Sequence, residues 1–520
     1  MALALSLHCN NSENNGNGGN NRDMSTTNPS GDMTGSTGGD GGGGGDGGTT
    51  NPDLPPGTPV LTAITPALGP TTGGTPLTLT GNNFPTDAQV YIDGKQATVT
   101  GTTTATQITV NSPADPNKKG KVLVEIRRPA VGTVASSSTL FSYYYGTLGF
   151  SLPTTSTFPV GTNPTAILLA NINANPALDA VVANYGTNNV SVLSGNGDGT
   201  FLSTGTYMTA PAGVFTRPTG IAIADFDKDN IVDVATVNQN TSDVSILVNS
   251  GAGVLTYNAT RAMLPMVGGM SAVPQGIAAG KLGADTIPSV VTANNGTNDL
   301  SVLSGTGMAT LNTAVSYPSE AVTVPTPKPI SAALADMDKD GLLDIVVVNN
   351  SSSTVGIMLA KAGGGFKPLT TYMAGIGGAH GIAIGDFNGD GRPDVALSMD
   401  QDNPKPNMTV LLNNALNPGA LLAATQYRLS EINGDAPVGI AAGDLNGDGL
   451  DDLVVTLYGN TGVAIMVAKQ GGGFNTPYFN QTGNNPKAVA IGDLNGDGKP
   501  DLAVANYSDN NVAVLLNNFQ

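Results

Sequence analysis

An acidic nine-residue pattern recurs seven times along this 520-residue chain, and it restricts the fold more than any other feature. The clearest copy is DFNGDGRPD, which runs from Asp386 to Asp394. Successive copies begin 49 to 58 residues apart, at Asn171, Asp225, Lys281, Asp336, Asp386, Asp444 and Asp493. Repeats of this length are typical of propellers and arrays, in which each repeat is one supersecondary unit.

Five of the copies have acidic or amide side chains at positions 1, 3, 5 and 9, and glycine or asparagine at position 6. Calcium takes six to eight oxygen ligands, and side chains on alternate residues can converge on it only if the backbone curls between them. Glycine and, less readily, asparagine adopt the left-handed conformation that this curl requires. Position 7 varies freely, which fits a ligand supplied by its backbone carbonyl. The predicted calcium ligands are Asp225, Asp227, Asp229, Ile231 and Asp233; Asp336, Asp338, Asp340, Leu342 and Asp344; Asp386, Asn388, Asp390, Arg392 and Asp394; Asp444, Asn446, Asp448, Leu450 and Asp452; and Asp493, Asn495, Asp497, Lys499 and Asp501.

The other two copies are degraded, so we predict about five calcium ions and no ion in the first and third loops. NINANPALD, residues 171–179, keeps one carboxylate and has Pro176 at position 6, and KLGADTIPS, residues 281–289, has Lys281 at position 1. Position 12 is never Glu in the five complete copies, so these are not EF-hand loops. The alternative is that Asp, Asn and Gly merely form turns, but five complete copies at the same place in a repeat argue against it.

Each repeat also has a constant strand pattern. An apolar strand such as GIAIGD leads into the acidic loop, a second such as DVALS follows directly, and a third such as MTVLLNN follows a polar turn. A fourth, less regular segment carries Phe or Tyr, and no helical period appears. The sequence therefore predicts an all-β fold in which residues 146–520 form a seven-bladed β-propeller. The last repeat lacks its fourth strand, and we expect Leu148–Phe158 to supply it by pairing with Val512–Asn518.

The loops and their period resemble the FG-GAP/VCBS repeats of integrin α-subunit propellers and of many bacterial surface proteins. The resemblance covers Gly146–Gln520, and the first and third copies depart from it at the positions described above. It implies a calcium-binding propeller at a cell surface or outside the cell.

Residues 57–145 have a different character, with short alternating strands such as QVYIDG and QITVNS between Pro and Gly. The pattern ITP..GP..GGT..T..G.NF runs from Ile64 to Phe84, and a VLVEI strand, Phe141 and Tyr143 follow it. The segment resembles the IPT/TIG family of immunoglobulin-like domains. The resemblance implies a small β-sandwich that acts as a spacer or an interaction module.

The N-terminal segment is predicted to be a tether. Residues 10–56 are rich in Gly, Asn, Ser and Asp, so they cannot bury enough apolar surface to fold and are predicted to be a disordered linker. Residues 1–9, MALALSLHC, resemble the remnant of a bacterial lipoprotein signal, with Cys9 as the lipidation site. The segment is too short for a secretory signal and lacks a basic region, so an ordinary free thiol at Cys9 is the alternative. With Cys9 lipidated, the protein would be an outer-membrane lipoprotein.

The composition restricts the function. A net charge of −18 and a pI near 4.3 argue against nucleic acids and anionic membrane surfaces as partners. Two histidines exclude a multi-His zinc site, and His380 has no recognisable orienting partner, so no catalytic residue is predicted. We therefore expect a monomeric, non-catalytic binding or adhesion protein. An extracellular propeller enzyme of the polysaccharide lyase or hydrolase type, and a purely structural envelope protein, remain as alternatives.

The turns between second and third strands are predicted to lie on the face opposite the calcium loops. Five of these turns carry asparagine at one register: Asn184, Asn238, Asn294, Asn349 and Asn506. One interpretation is that asparagine suits left-handed turns. The other is an amide ring that binds an unknown glycan or protein, with Tyr185, Tyr458 and Tyr507 as stacking surface. Met399–Asn407 and Met263–Ala272 are candidate specificity loops.

Overall fold

A computed structural model describes residues 58–518, apart from short gaps between residues 66 and 155 and residues 284, 321–325, 376, 400–407, 430–435 and 476. The predicted lipidation site Cys9 and linker 10–56 lie outside the described residues, as does most of the candidate specificity loop Met399–Asn407. All regular secondary structure in the described residues is β-strand, which confirms the predicted all-β class. No helix in this part of the chain is long and apolar enough to cross a membrane.

Residues 60–144 form three small sheets. Their strands are β1 (Val60–Thr65), β2 (Leu68–Pro70), β3 (Pro76–Asn82), β4 (Gln89–Ile92), β5 (Lys95–Gln96), β6 (Thr98–Val99), β7 (Gln107–Asn111), β8 (Gly120–Lys121), β9 (Val124–Arg128), β10 (Gly132–Ser137) and β11 (Ser142–Tyr144). The orders are β1-β3-β7-β6, β10-β9-β4-β5 and β2-β11-β8. The first two sheets are antiparallel throughout.

The two antiparallel sheets share one apolar core. Alternate residues of β3 are buried, including Leu77 and Leu79, because successive side chains of a strand point to opposite faces. Val90 and Ile92 of β4 join the same cluster from the other sheet. The alternating apolar residues of the sequence therefore give a small sandwich whose inner faces pack on each other.

The described residues from 150 to 517 form seven antiparallel sheets. In six of them the four main strands are neighbours in sequence order, whereas the seventh combines the last three strands with two short strands from the start of this region. The two short strands are β12 (Phe150–Ser151) and β13 (Thr157–Pro159). The first sheet contains β14 (Pro164–Ala170), β15 (Asp179–Asn184), β16 (Asn189–Gly195) and β17 (Phe201–Met208). The second contains β18 (Pro218–Ala224), β19 (Asp233–Asn238), β20 (Asp243–Asn249), β21 (Leu255–Tyr257) and β22 (Ala262–Met263). The third contains β23 (Pro274–Gly280), β24 (Ser289–Asn294), β25 (Asp299–Leu303) and β26 (Val315–Pro318).

The remaining four sheets follow the same plan. The fourth contains β27 (Pro329–Ala335), β28 (Asp344–Asn349), β29 (Thr354–Met358) and β30 (Thr370–Met373). The fifth contains β31 (Ala379–Gly385), β32 (Asp394–Met399), β33 (Met408–Leu411) and β34 (Thr425–Tyr427). The sixth contains β35 (Pro437–Gly443), β36 (Asp452–Leu457), β37 (Gly462–Met466) and β38 (Tyr478–Gln481). The seventh contains β39 (Pro486–Gly492), β40 (Asp501–Asn506) and β41 (Asn511–Asn517), together with β12 and β13.

The first strands of the seven sheets contact one another in an unbroken cycle. β14 contacts β18, each following first strand contacts the next, and β39 contacts β14 again. The second strands are buried along their whole length, as expected for strands covered by neighbouring sheets on both faces. Hydrogen bonds also join neighbouring first strands. For example, Thr219 Oγ1 of β18 donates to the carbonyl of Pro274 in β23 at 3.2 Å.

The seventh sheet takes its outer strands from the start of the repeat region. Phe150 of β12 is paired with Asn517, and Phe158 of β13 is paired with Val512 of β41. This confirms the predicted pairing of the segment near Leu148–Phe158 with the last strand. Phe158 is buried and packs edge-on against Phe201 of the first sheet, with ring centroids 5.3 Å apart. The contact therefore ties the last sheet to the first.

Candidate metal sites and the opposite face

The five complete acidic loops connect first to second strands and share one closed shape. They are residues 225–233, 336–344, 386–394, 444–452 and 493–501. In each loop Oδ2 of position 1 accepts a hydrogen bond from the backbone N–H of position 6, at 2.7–3.1 Å. In each, Oδ1 of position 5 accepts from the N–H of position 7, at 2.8–2.9 Å. Side chains therefore fold the backbone back on itself, which is the curl that a shared cation requires.

Two residues of each loop have left-handed backbone conformation. Position 6 has φ between +67° and +87°, as predicted from its glycine or asparagine. Position 4 is also left-handed, with φ between +60° and +80°, and this was missed although three loops have glycine there. The other two have Lys228 and Lys339 at position 4, so the closed shape forms even where a side chain makes it costly.

Carboxylates converge in two loops closely enough to hold a metal ion. One oxygen from each of Asp225, Asp227 and Asp229 lies within 4.8 Å of the others, and Asp336, Asp338 and Asp340 form an equivalent group. In the second group Lys367 Nζ donates to Asp338 Oδ2 at 3.0 Å, so this cluster already attracts a cation. The remaining three complete loops have Asn388, Asn446 and Asn495 at position 3, so at positions 1, 3 and 5 they offer two carboxylates and an amide oxygen in the same fold.

The position-9 aspartates are fully buried and held by backbone donors. In the fifth loop Asp394 Oδ2 accepts from the N–H of Phe387, and Oδ1 accepts from the N–H of Asn413, just after the third strand. The same two bonds recur at Asp179, Asp233, Asp344, Asp452 and Asp501. Each oxygen keeps a lone pair, so a position-9 carboxylate can brace the loop and still face a cation.

Burial, and next the nearby loop carboxylates, raise the pKa of the position-9 aspartates in the five complete loops. The pKa is raised to about 6 at Asp233, Asp344 and Asp501 and to about 7 at Asp394. Burial likewise raises the pKa of Asp452. Without metal, the ionised form of these carboxylates is therefore disfavoured, and a bound divalent ion would stabilise it.

This electrostatic strain predicts an unusual pH dependence for the chelated protein. Between the unfolded pKa of about 4 and the folded values of about 6 to 7, the folded chain binds more protons than the unfolded chain. The free energy of unfolding therefore falls as pH rises through this range, by on the order of 2 kcal/mol per carboxylate. Scanning calorimetry in excess EDTA should give a higher melting temperature at pH 5 than at pH 8.

The calcium-loaded protein is the control, because its melting temperature should change with pH in the opposite direction. Protons compete with calcium for carboxylates, so acidification should lower the melting temperature of the calcium-loaded protein. Chelated protein that becomes less stable on acidification would contradict the pKa shifts at Asp233, Asp344, Asp394 and Asp501.

The first loop fills its own interior with amides. Asn173 Nδ2 donates to Asp179 Oδ1 at 2.9 Å, and Asn175 Nδ2 donates to Ser194 Oγ at 3.1 Å. The Asn171 amide, oriented to satisfy its neighbours, donates to the Ala177 carbonyl at 2.9 Å. Ala177 is position 7, where the complete loops are predicted to offer a carbonyl to calcium. The N–H groups therefore stand where a cation would bind, which supports an empty first loop.

The third loop lacks an acidic group at three of the four ligand positions. Lys281 is at position 1, Gly283 at position 3 and Ser289 at position 9, and Ser289 Oγ donates to Asp285 Oδ2 at 2.9 Å. Its one carboxylate is therefore engaged within the loop, which supports an empty third site.

Single substitutions at position 5 should separate metal loops from turns. We expect Asp390→Ala, Asp448→Ala and Asp497→Ala each to remove about 1.4 kcal/mol of calcium-dependent stabilisation, the contribution of one site with a Kd near 0.1 mM at about 1 mM calcium. Asp285→Ala, at the same position of the third loop, is the matched control and should leave the calcium dependence unchanged. The difference between the melting temperatures in calcium and in EDTA measures the calcium-dependent stabilisation of each variant. A loss in Asp285→Ala equal to that in the other three would contradict the assignment of the complete loops as calcium sites.

The asparagines of the opposite face form no binding ring. Asn184, Asn238, Asn294, Asn349 and Asn506 are all fully buried, so the amide-ring interpretation is wrong. Each donates its Nδ2 across the turn to the side chain five residues later, as Asn294 does to Asp299 Oδ1 at 3.0 Å. The left-handed residue is instead the fourth one later: Asn188, Ser242, Asn298, Ser353 and Asn510. Sequence reasoning identified the register but neither role.

The predicted tyrosines are half-buried and gather with two cations. Lys487 Nζ lies 4.5 Å from the ring centroid of Tyr507 and 5.5 Å from that of Tyr458. The Arg217 guanidinium lies 5.3 Å from the ring centroid of Tyr185. Arg217 precedes Pro218 at the start of β18, and Lys487 follows Pro486 at the start of β39. A charged residue at the start of an otherwise apolar strand was the sequence signal that could have identified both. His380 is at the position of Lys487 in its own strand and is buried.

Family models match two parts of the chain. An IPT/TIG domain model matches residues 59–143. A model described as an FG-GAP-like repeat matches residues 171–236, 336–397 and 444–504. The three repeat matches begin at acidic loops and end in second strands of the sheets. No curated protein matches the chain.

Several solved structures resemble the chain at low identity. A protein from Lactobacillus plantarum aligns at 13% identity, with a TM-score of 0.46, over 77% of this chain and 98% of its own. An auxiliary nutrient binding protein from Bacteroides thetaiotaomicron aligns at 12%, with a TM-score of 0.38, over 88% and 97%. Virginiamycin B lyase from Staphylococcus aureus aligns at 13%, with a TM-score of 0.44, over 71% and 98%. Superpositions at these scores carry no information on what the present chain binds or catalyses.

Proposed function

We propose that this chain, which carries an IPT/TIG domain followed by FG-GAP-like repeats, is a calcium-stabilised, non-catalytic binding protein of the cell surface or extracellular space. The observation that carries the proposal is the common closed shape of five acidic loops, which side-chain hydrogen bonds hold in one geometry. A turn needs no such concentration of carboxylates. A calcium site needs both the carboxylates and the curl.

The seven sheets are the blades of a seven-bladed β-propeller. Support comes from the cyclic contacts of the first strands and from the pairing of β12 and β13 with β41. Residues 57–145 form an immunoglobulin-like sandwich between the linker and the propeller. The two sheets and their shared core support this part of the proposal.

Calcium occupies the five complete loops and leaves the first and third empty. In each occupied loop the side chains of positions 1, 3, 5 and 9 and the carbonyl of position 7 face the ion. The clustered carboxylates of two loops and the raised pKa values at position 9 favour a divalent cation there. No ion contact is needed for the folding of the first loop, since its own amides fill the interior.

The propeller binds its ligand on the face opposite the calcium loops. The loops on the calcium side serve the fold, whereas the opposite face carries half-buried tyrosines, two cations and the insert Met263–Ala272. In that insert Met266 and Met270 are 65% and 51% exposed. The ligand class is a glycan or a protein, and the chain acts as a monomer attached through a lipid on Cys9.

A binding screen of the full-length protein tests the proposal. We expect one or more glycans or extracellular proteins to be retained in calcium, and binding to weaken in EDTA as the propeller loses stability. A glycan array and a pull-down that are both blank with calcium would favour a purely structural envelope protein. Turnover of a bound polysaccharide would instead establish the lyase or hydrolase alternative.

A further inference from the structure

One part of the face opposite the calcium loops brings two cations and three phenols together. We call it the cationic mouth and define it by six residues: Tyr185, Arg217, Gln239, Tyr458, Lys487 and Tyr507. They come from the sixth, seventh, first and second sheets, which are consecutive around the cycle. The backbone links its two halves, because the Tyr185 N–H donates to the Asn163 carbonyl and Asn163 Nδ2 donates to the Tyr507 carbonyl.

Neither cation of the mouth has a carboxylate partner among the described residues. Some other cations of the chain are paired with carboxylates, as Arg261 is with Asp243 and Arg128 with Asp87. Asp509 lies in the same turn as Tyr507, but its carboxylate accepts two hydrogen bonds from Asn484. In a chain of net charge −18, two cations that have no carboxylate partner among the described residues and lie against neighbouring tyrosines can attract an anionic ligand.

The burial of the Lys487 ammonium favours an anionic ligand at this place. The residue is only 8% exposed, and its ammonium lies beside the rings of both Tyr458 and Tyr507, whose centroids are 5.9 Å apart. Two ring faces stabilise a cation only in part, and an ammonium removed from water without a counter-ion costs free energy. A bound carboxylate would restore that loss, and Arg217 is a second, exposed cation for the same anion.

We infer that the cationic mouth binds an acidic sugar, with the sugar carboxylate between Lys487 and Arg217 and the sugar ring against the tyrosines. This ligand class rests on the proposed binding function and makes it more specific. The polar groups of the cationic mouth include phenol hydroxyls and an amide, which suit sugar hydroxyls, and Tyr185 Oη already donates to Gln239 Oε1 at 3.1 Å. A sugar ring has apolar C–H faces and many hydroxyl groups. Tyrosine suits both, because its aromatic ring packs on the C–H face and its hydroxyl forms hydrogen bonds.

Titration calorimetry of the full-length protein in saturating calcium tests this inference. The probes are trigalacturonate, its methyl ester as a neutral isostere, inorganic phosphate and an oligo-aspartate peptide. We expect trigalacturonate to bind and its methyl ester to bind at least about tenfold more weakly, because the ester lacks the charge for a charge-assisted hydrogen bond, which contributes about one such factor. Phosphate and the peptide should also bind at least about tenfold more weakly, because they have the charge but lack the sugar ring that contacts the tyrosines. Lys487→Met and Arg217→Gln should each weaken trigalacturonate binding by about tenfold or more.

Lys469→Met is the matched control, because Lys469 is an exposed lysine on the hairpin between third and fourth strands of the sixth sheet. It removes the same charge and should leave binding unchanged. An equal loss in Lys469→Met would reduce the effect to general electrostatics and overturn the inference. Equal binding of the methyl ester, phosphate or the peptide would also overturn it. The exposed Arg217 keeps the test valid if Lys487→Met lowers the melting temperature.

The failure of this inference can be told apart from failure of the proposed function. If no uronate binds but the protein retains another glycan or a protein in the screen, the binding function stands and the acidic sugar is wrong. If the screen is blank as well, both are wrong.

Discussion

Excess EDTA should lower the melting temperature of the seven-sheet ring sharply and leave that of the N-terminal sandwich unchanged. Each complete loop holds three or four carboxylates in one turn, and they repel one another without a cation. A site with a Kd of about 0.1 mM adds roughly 1.4 kcal/mol at about 1 mM calcium, so five independent sites add on the order of 7 kcal/mol. That is comparable to the whole stability of an ordinary domain.

Calorimetry of the full-length protein measures this directly, and the sandwich serves as the internal control. Its core is formed by aliphatic side chains such as Leu77 and Ile108, and it contains no complete acidic loop. Magnesium gives a second control, since its demand for octahedral geometry suits these loops less well. A ring transition that does not shift in EDTA would mean that the loops are ordinary turns.

Deleting residues 146–160 should destabilise the ring far more than deleting the longer linker 10–56. The deletion removes β12 and β13, exposes the edge of β41 and removes the contact between Phe158 and Phe201. Phe158→Ala alone should cost about 3–5 kcal/mol, the usual effect of truncating a buried phenylalanine. Melting temperatures in calcium of the two deletions and of the intact protein provide the comparison.

The behaviour of the deleted protein decides whether this account of closure holds. A 146–160 deletion that melts like the intact protein would show that β41 needs no partner. Aggregation of the deletion would instead support it, because an exposed β41 edge can pair with another chain. Leu202→Ala is the matched control for Phe158→Ala, since Leu202 is on the same neighbouring strand as Phe201 but is 64% exposed.

The strand pattern and the closure could be predicted because they depend on local periodicity. Alternating or continuous apolar residues identified the strands, and the missing last segment identified its partner near Phe158. The loop shape was also predictable at position 6, where glycine is needed for φ near +80°. Position 4 was not, because Lys228 and Lys339 adopt a left-handed conformation that their residue type does not indicate.

The roles of polar side chains were less predictable, because burial decides them. Asn294 and its four equivalents looked like surface turn residues, yet they are completely buried and their amides donate across their own turns. Asp394 looked only like a ligand, whereas two backbone N–H groups also depend on it. The sequence did not identify Lys487 as a binding residue, since its contact with the ring of Tyr458, in a different repeat, exists only in the folded protein. Such contacts depend on which sheets are neighbours, and periodicity does not encode them.

The pairing of β12 with β41 also fixes how mechanical load passes through the molecule. Phe150 is opposite Asn517, whose Nδ2 donates to the carbonyl of Leu445 in an acidic loop, so the chain enters the ring on the calcium side. A ligand held on the opposite face would pull along the direction of the strands. Tension on the linker would then load the hydrogen bonds of β12 and β13 in shear, where they must break together rather than one after another.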